Sequence, residues 1–261
     1  MALLHVNFFS DVLAISASMD VILPQKVSRQ VGMGSAGSDK PLPVLYLLHG
    51  MSDDHTIWQR RTSIERYVAE LPLIVVMPTT GRGAYTDMKH GYRYWTYISE
   101  ELPQIVHEFF PQASWRREDT FAAGLSMGGY GAFKLGLRCP DKFAAVAALS
   151  GGLIRDSEHM LQNPVSQNDF AITFGTLEEY RGSDNDLLAV GERQLAAGVP
   201  LPRLFMCCGT EDAAYPPNVR FYEQFKDRMD ITWFEEPGIH EWGFWDRNIQ
   251  KVLDWLPIEG R

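Results

Sequence analysis

Three features that mark specialised protein classes are scarce or absent in this sequence. Cysteine occurs only three times in 261 residues, and Cys207 and Cys208 are adjacent, so the spacing predicts neither a disulfide framework nor a C-x-x-C metal or redox motif. No run of about 18 apolar residues is present, so no membrane-spanning helix is predicted. Metal-ligand spacings such as H-E-x-x-H are missing as well. We therefore expect reduced cysteines in the core, no metal and no cofactor.

Basic residues are also in the minority. The 24 Lys and Arg residues are outnumbered by 33 Asp and Glu, which gives a formal net charge of -9. An acidic surface repels nucleic acid and anionic membranes, so neither is expected as a partner.

Residues 1–8 show no basic region, long apolar core or cleavage site of a secretory signal, which favours a cytoplasmic protein. The expected partner is a small molecule, and the sequence leaves open whether copies of the chain form a homo-oligomer.

What the sequence does contain is a Gly-x-Ser-x-Gly motif at Gly124, Ser126 and Gly128. Such a motif recurs by chance in about one chain in ten of this length, so its context must decide. An apolar, strand-like run at 120–125 precedes it and a helical pattern at 127–137 follows, which is the setting of a nucleophile elbow. This turn projects the serine hydroxyl above the sheet edge. Ser126 is therefore the predicted nucleophile, and a glycine-rich turn without chemistry is the alternative.

A serine hydroxyl needs a histidine to take its proton and a carboxylate to orient that histidine. In chains with this elbow the three groups follow in the order serine, acid, histidine. The apolar strand predicted at 201–208 ends in a loop with Glu211 and Asp212, and catalytic groups lie beyond the carboxyl ends of such strands. Asp212 is the predicted acid and Glu211 is the runner-up, with a solvated acidic turn as the alternative.

The base is predicted at His240, in the loop after a strand-like run at 231–235. Only His159 and His240 follow Ser126 in the chain. His159 precedes the acid candidates, which breaks the expected order. Ser126, Asp212 and His240 together form the predicted catalytic residues.

Two backbone N–H groups are expected to bind the oxyanion that develops on the substrate carbonyl. One belongs to Met127, the residue after the nucleophile. The other is assigned to Met51, in the loop after the strand predicted at 42–48, where Gly50 permits a close backbone approach. His49 precedes the nucleophile and is expected to shape this loop rather than to act as the base.

Four motifs occur in a characteristic order, at residues 49–51, 124–131, 208–212 and 238–242. Together they resemble the bacterial tributyrin-esterase family, which belongs with esterase D and the S-formylglutathione hydrolases among the α/β-hydrolases. The resemblance covers essentially the whole chain, and it implies carboxylesterase activity on short acyl esters. Feruloyl esterases, acetyl-xylan esterases and mycolyl transferases belong to the same broad group. The resemblance therefore specifies the mechanism better than the substrate.

The predicted fold class is α/β. An α/β-hydrolase fold is expected, with a mainly parallel central sheet, helices on both faces and an antiparallel N-terminal start. Buried strands are predicted at 42–48, 71–77, 119–124, 143–150, 201–208 and 231–235. Helices are predicted at 63–69, 95–110, 127–137, 217–229 and 244–256. Pro103 is expected to kink the second helix or to mark its true start.

One domain is expected over residues 1–257. Within it the polar segment 151–200 is a candidate cap insertion over the site, and an ordinary surface excursion is the alternative. Residues 258–261 spell Ile-Glu-Gly-Arg, a protease recognition sequence often placed before purification tags, so the prediction sets them aside.

Aromatic residues cluster around the predicted strand-end loops, and most of them are expected to pack in the core. The substrate pocket is assigned to five residues of these loops: Gly50, Trp58, Trp95, Tyr215 and Trp242. Aromatic walls accept planar acyl groups or sugars by stacking. Feruloyl and acetylated-carbohydrate esters therefore remain candidate substrates.

The sequence predicts a serine carboxylesterase that hydrolyses short-chain acyl esters through an acyl-enzyme intermediate. The nearest alternative is hydrolysis of a thioester, S-formylglutathione, and a feruloyl or acetyl-carbohydrate esterase is another. Outside enzymology, the alternative is an inactive hydrolase fold that serves as a binding module.

Overall fold

The computed structural model describes residues 1–29, 31–32, 34, 36–157, 161–162 and 164–259. Its strands are β1 (Ala2–Ser10), β2 (Ile15–Leu23), β3 (Val44–Leu48), β4 (Ile74–Pro78), β5 (Thr120–Leu125), β6 (Ala145–Leu149), β7 (Arg203–Gly209) and β8 (Ile231–Glu236). They form one sheet in the order β1-β2-β4-β3-β5-β6-β7-β8. β3 to β8 are parallel, whereas β1 and β2 form a hairpin that joins the sheet through antiparallel pairing of β2 with β4. The predicted mainly parallel sheet with an antiparallel start is confirmed.

Helices flank this sheet on both faces. They are α1 (Ile57–Arg61), α2 (Ile64–Tyr67), α3 (Tyr94–Thr96), α4 (Leu102–Phe109), α5 (Met127–Arg138), α6 (Pro164–Phe174), α7 (Leu177–Tyr180), α8 (Leu187–Ala196), α9 (Tyr215–Phe225) and α10 (Trp242–Trp255). Neighbouring side chains of a strand point to opposite faces, so the sheet separates two hydrophobic cores. Tyr46 shares one core with α5, and Leu45 shares the other with α1, α2 and α10.

Pro103 is the second residue of α4, and a π-helical turn, Tyr97–Glu101, precedes that helix. Proline has no N–H, and its ring displaces the carbonyl four residues earlier. That carbonyl belongs to Ser99, and it accepts a hydrogen bond from Lys142 Nζ at 3.0 Å instead. Pro103 therefore marks the start of α4, which is one of the two predicted outcomes.

Two parts of the chain differ from the prediction. The sequence does not predict α1, because the five residues Ile57–Arg61 are too few to display a helical period. The prediction sets residues 258–261 aside, yet Ile258 is 7% exposed and packs into the same core as α10. Residues 260 and 261 lie outside the described residues, as does His159.

Candidate active site

The predicted site residues follow four strands of the same parallel set. β3, β5, β7 and β8 run in one direction, so the loops that begin at their carboxyl ends lie along one edge of the sheet. Met51 follows β3, Ser126 follows β5, Asp212 follows β7 and His240 follows β8. The sheet therefore brings these positions, which are far apart in the chain, to the same edge.

The turn between β5 and α5 is a strained nucleophile elbow. Ser126 has φ of 51° and ψ of -113°, a combination that L residues rarely adopt. A Cβ on Gly124 would lie 2.5 Å from the carbonyl carbon of Gly128, and a Cβ on Gly128 would lie 2.7 Å from the carbonyl oxygen of His49. Backbone atoms cannot move aside as a flexible side chain can, so both positions require glycine.

Asp212 and His240 lie on neighbouring loops that touch. A Cβ on Gly209 would overlap the carbonyl oxygen of Gly238, so glycine lets the two loops pack together. His240 Nδ1 lies 3.0 Å from Oδ1 and 2.9 Å from Oδ2 of Asp212. A carboxylate can only accept, so Nδ1 carries the ring proton and Nε2 has a free lone pair. The Asp212 side chain is fully buried, whereas that of His240 is 40% exposed.

The surroundings of Asp212 favour its charged form. Burial alone would raise its pKa, but the hydrogen bond and the charge of His240 lower it. The Ala214 N–H, which donates to Oδ1 at 2.8 Å, and the Ser150 hydroxyl act in the same direction. The resulting pKa lies below the ordinary value of an aspartate, so the group is a carboxylate at neutral pH. It can therefore stabilise a positive charge on the imidazole.

Glu211, the alternative acid, does not contact His240. Its Oε2 accepts a hydrogen bond from the Gly238 N–H at 2.7 Å, which supports the loop that leads to His240. Within the described residues, no hydrogen bond joins Ser126 Oγ to His240 Nε2. In ligand-free hydrolases this contact is often long and tightens only when substrate binds.

His49 is buried and shapes the loop after β3. The Thr80 N–H donates to its Nε2 at 3.0 Å, so the ring proton lies on Nδ1, which donates to the Gly50 carbonyl at 2.6 Å. The Tyr85 hydroxyl donates to the His49 carbonyl at 2.9 Å. Burial lowers the pKa of His49 and keeps the ring neutral, as these bonds require. With both nitrogens engaged by the backbone, the ring has no free lone pair with which to act as a base.

Within the part of the chain that the structure describes, the N–H groups of Met51 and Met127 have no backbone acceptor. Met127 opens α5, and the first N–H groups of a helix have no partner inside it. Among the described residues, no backbone carbonyl accepts the Met51 N–H. The N-terminal end of a helix favours negative charge, so the start of α5 suits a developing anion.

Two of the residues assigned to the pocket lie in the core instead. Trp58 is 1% exposed, and its Nε1 donates to the Leu48 carbonyl at 3.1 Å. Trp95 is 8% exposed, and the Arg138 guanidinium lies 4.1 Å above its ring. Both indoles therefore leave almost no surface that a ligand could contact. The sequence shows that they are aromatic, but their burial depends on distant helices: Trp242 of α10 packs on Trp58, and Arg138 of α5 covers Trp95.

The other three assigned residues lie closer to the predicted chemistry. Trp242 and Tyr215 are partly exposed, and Trp242 is two residues after His240. Gly50 is buried, and a Cβ there would lie 2.6 Å from Leu125 Cδ1. Its role is thus to let the loop after β3 pack against the end of β5.

Ser150 and Arg82 are site residues that the sequence did not indicate. Ser150 has φ of 48°, and its Oγ accepts a hydrogen bond from Trp245 Nε1 at 3.1 Å, next to Asp212. Arg82 Nη2 donates to Met51 Sδ at 3.3 Å. Neither residue belongs to a motif, because each acts through a contact between distant parts of the chain.

The described residues hold no group of three or more His, Cys, Asp or Glu side chains that could bind a metal ion. In the same part of the chain, no helix combines the length and the apolar character needed to cross a membrane. Cys139, Cys207 and Cys208 are free thiols, and burial raises the pKa of all three.

Residues 20–255 match the model of the Esterase family, which carries the description "Putative esterase". The chain belongs to this esterase family. Similar solved structures include FphF, a fluorophosphonate-binding serine hydrolase of Staphylococcus aureus, with 34% identity and a TM-score of 0.85. Another is the S-formylglutathione hydrolase FrmB of the same organism, with 33% identity and a TM-score of 0.84; each comparison covers 98% of both chains. An acetyl esterase of Caldicellulosiruptor saccharolyticus is 28% identical over 266 residues, which cover 98% of each chain.

These findings make the chain a carboxylic ester hydrolase with the α/β-hydrolase fold, related to esterase D and to the S-formylglutathione hydrolases. The resemblance stated from the four sequence motifs is confirmed. The serine hydrolase relatives also make it a serine esterase, so the hypothesis of an inactive binding module does not hold.

Proposed function

We propose that this esterase hydrolyses short-chain acyl esters with Ser126 as nucleophile, His240 as general base and Asp212 as the acid that orients it. The observation that carries the proposal is the contact of His240 Nδ1 with both Asp212 oxygens, at 2.9 and 3.0 Å. It leaves Nε2 free to take a proton at the edge where the elbow presents Ser126.

The proposed reaction has two halves. Ser126 Oγ attacks the ester carbonyl carbon while His240 Nε2 takes its proton, and the N–H groups of Met51 and Met127 bind the oxyanion. The carbon–oxygen bond to the alcohol then breaks, and the imidazolium gives its proton to the leaving alcohol. In the second half, His240 takes a proton from water, which attacks the acyl carbon. The bond from that carbon to Ser126 Oγ then breaks, the imidazolium returns the proton to Oγ, and the acid leaves.

The names of the relatives support a small acyl group. One relative is named an acetyl esterase and another an S-formylglutathione hydrolase. An oxygen ester of a short acid is the first candidate substrate, and the formyl thioester is the second because of that named relative. Feruloyl and acetylated-carbohydrate esters remain part of the substrate test.

The same proposal assigns the catalytic domain to residues 1–257 and a cap to the segment 151–200. Asp169 of α6 forms an ion pair with Arg82, which lies in the loop after β4. Arg82 Nη2 also donates a hydrogen bond to Met51 Sδ. The segment thus reaches the residue proposed as an oxyanion donor.

We propose a cytoplasmic enzyme that acts on a small molecule, without nucleic acid or membrane partners, and leave a homo-oligomer open.

A substrate panel tests the proposal. It comprises 4-nitrophenyl esters from acetate to decanoate, a feruloyl ester and S-formylglutathione, with Ser126→Ala as control. Turnover should peak at short acyl chains and fall by about 10⁴ to 10⁶ in Ser126→Ala. A fluorophosphonate should label Ser126 in the folded protein. Failure to form that adduct, or equal turnover in the variant, would refute Ser126 as nucleophile.

The adjacent acids offer a matched pair of variants. Asp212→Asn should lower kcat by about 10⁴, because the amide orients the wrong tautomer of His240. Glu211→Gln should stay within about tenfold of the parent, because Glu211 only supports the loop before His240. The reverse result, with Glu211→Gln inactive and Asp212→Asn active, would assign the acid to Glu211.

A further inference from the structure

Arg155 is a buried guanidinium that lacks a protein partner. The residue is 5% exposed, and its Nε is shielded from solvent without a hydrogen-bond partner. Across the described residues, no hydrogen bond or ion pair reaches any nitrogen of this guanidinium. Its one charge-related contact there is with the face of the Tyr130 ring, 5.7 Å from Cζ. A buried polar group without a partner is rare in proteins and needs an explanation.

The burial of Arg155 is costly, because its charge has left water. Desolvation lowers its pKa, yet a guanidinium stays protonated in proteins, so the charge itself persists. Eight other arginines form ion pairs with carboxylates: Arg82, Arg116, Arg138, Arg181, Arg193, Arg203, Arg228 and Arg247. Arg155 is the buried arginine among the described residues, and it has no carboxylate partner there.

The guanidinium lies beside the backbone of Ser126. The Gly152 N–H donates to the Ser126 carbonyl at 3.0 Å. A Cβ on Gly152 would lie 2.9 Å from Arg155 Nη1 and 3.7 Å from the Ser126 carbonyl oxygen. Gly152 thus lies next to both groups, and its lack of a side chain leaves room for the guanidinium beside the backbone of the nucleophile.

The neighbouring groups Tyr180 and Asp169 do not neutralise the side chain of Arg155 by direct contact. The Tyr180 hydroxyl accepts a hydrogen bond from the Arg155 backbone N–H at 3.3 Å, which leaves the guanidinium itself uncommitted. Asp169 is a carboxylate whose charge acts on Arg155, and it is engaged by Arg82. Since Nε is shielded, a ligand would meet the two terminal nitrogens.

We propose that Arg155 binds a carboxylate carried by the ester substrate. This inference rests on the proposed function, because it places the carboxylate next to the Ser126 nucleophile. Two terminal N–H groups of a guanidinium match the two oxygens of a carboxylate, and such charge-assisted pairs are strong where water is excluded. The preferred substrates are therefore esters that bear one free carboxylate within a few bonds of the scissile carbonyl.

The kinetic test compares isosteric acids and amides. On the acyl side, ethyl hydrogen glutarate is paired with ethyl glutaramate, and on the alcohol side 4-acetoxybutyrate is paired with 4-acetoxybutyramide. The ratio of kcat/KM for acid over amide should be about tenfold or more in one of these pairs, and that pair identifies the side that Arg155 binds. In Arg155→Met the ratio should fall to about one. Arg181→Met, which alters an exposed arginine paired with Asp156, should keep the parent ratio.

A binding measurement separates this inference from the proposed function. Calorimetry with glutarate and acetate as probes uses Ser126→Ala, with and without Arg155→Met, so it does not depend on turnover. Binding of a probe that Arg155→Met abolishes supports the carboxylate site even if no ester is hydrolysed. Absence of binding, together with an acid-to-amide ratio of about one in the parent, overturns it. Circular dichroism checks whether Arg155→Met folds. If it does not, Arg155→Lys replaces it. This variant should lower the acid-to-amide ratio of kcat/KM, because lysine keeps the charge and loses the paired donors.

Discussion

The nucleophile elbow and the segment 151–200 hold their parts in place by different means. At the elbow, backbone atoms contact backbone atoms with no room for a side chain between them. Gly128, for example, lies against the carbonyl of His49. In the described part of the segment, side chains such as Phe174 and Tyr180 pack in the hydrophobic core, and ion pairs such as that of Asp169 with Arg82 add surface contacts to the rest of the domain. Almost no substitution is expected to be tolerated at the glycines of the elbow, whereas many are expected to be tolerated at the surface ion pairs of the segment 151–200.

This difference explains why the elbow can be predicted from the sequence and the contacts of the segment 151–200 cannot. Backbone contact admits only glycine, so the elbow shows a fixed pattern of small residues. An exposed ion pair contributes at most about 1 kcal/mol and can be replaced by many other pairs, so it imposes no pattern. The predictions below test this contrast in tolerance.

The largest effect is expected for Gly128→Ala. The new Cβ would lie 2.7 Å from the His49 carbonyl oxygen, and neither backbone can yield without moving the elbow. We expect the free energy of unfolding to fall by about 3 kcal/mol and esterase activity to fall by at least about 10². Urea denaturation and turnover of 4-nitrophenyl acetate measure the two effects.

Gly243→Ala is the matched control for this substitution. A Cβ on Gly243, in α10, meets nothing closer than 3.6 Å. Alanine favours a helix over glycine, so this variant should gain up to about 1 kcal/mol and keep its activity. A Gly128→Ala protein as stable and active as the parent would contradict the account of the elbow.

An intermediate effect concerns the buried His49. Burial lowers its folded pKa below the unfolded value of about 6.5, so the unfolded chain takes up the proton first as the pH falls. The stability that neutral His49 contributes is thus complete above about pH 6.5 and is lost between the unfolded and the folded pKa, by at most about 1.4 kcal/mol per pH unit. The measurement is the free energy of unfolding of the parent and of His49→Gln from pH 5 to 8.

The difference between these two curves should shrink as the solution becomes more acidic. His90→Gln, which alters an exposed histidine, is the matched control. Parallel curves for the parent and His49→Gln would show that His49 does not titrate differently on folding.

The smallest effect is expected for the ion pair between Asp169 and Arg82. Arg82 is half exposed, so Asp169→Asn should lower the free energy of unfolding by about 0.5 to 1 kcal/mol, and less at high salt. KM should change no more than a few-fold, because Arg82 contacts the side chain of Met51 and not its backbone N–H. A loss above about 3 kcal/mol would show that the segment 151–200 is held as tightly as the elbow.

The strands and helices near the site were largely predictable, and the environments of individual side chains were not. The run 120–125 and the helix after it follow from local hydrophobic patterns and glycine spacing. Trp58 and Trp95 were assigned to the pocket but are buried, because α10 and α5, which pack on them, come from other parts of the chain. The choice between the adjacent acids also depends on a distant loop, the one that carries His240.

By itself, the sequence determined the strands of the parallel set, the elbow at Ser126 and the strand ends that carry Asp212 and His240. These features depend on neighbouring residues, through backbone sterics and the period of apolar side chains. Only the tertiary structure decided which carboxylate meets the imidazole, which aromatic rings are buried and that Arg155 is buried without a partner among the described residues. Those outcomes depend on contacts between residues far apart in the chain, and no local pattern records them.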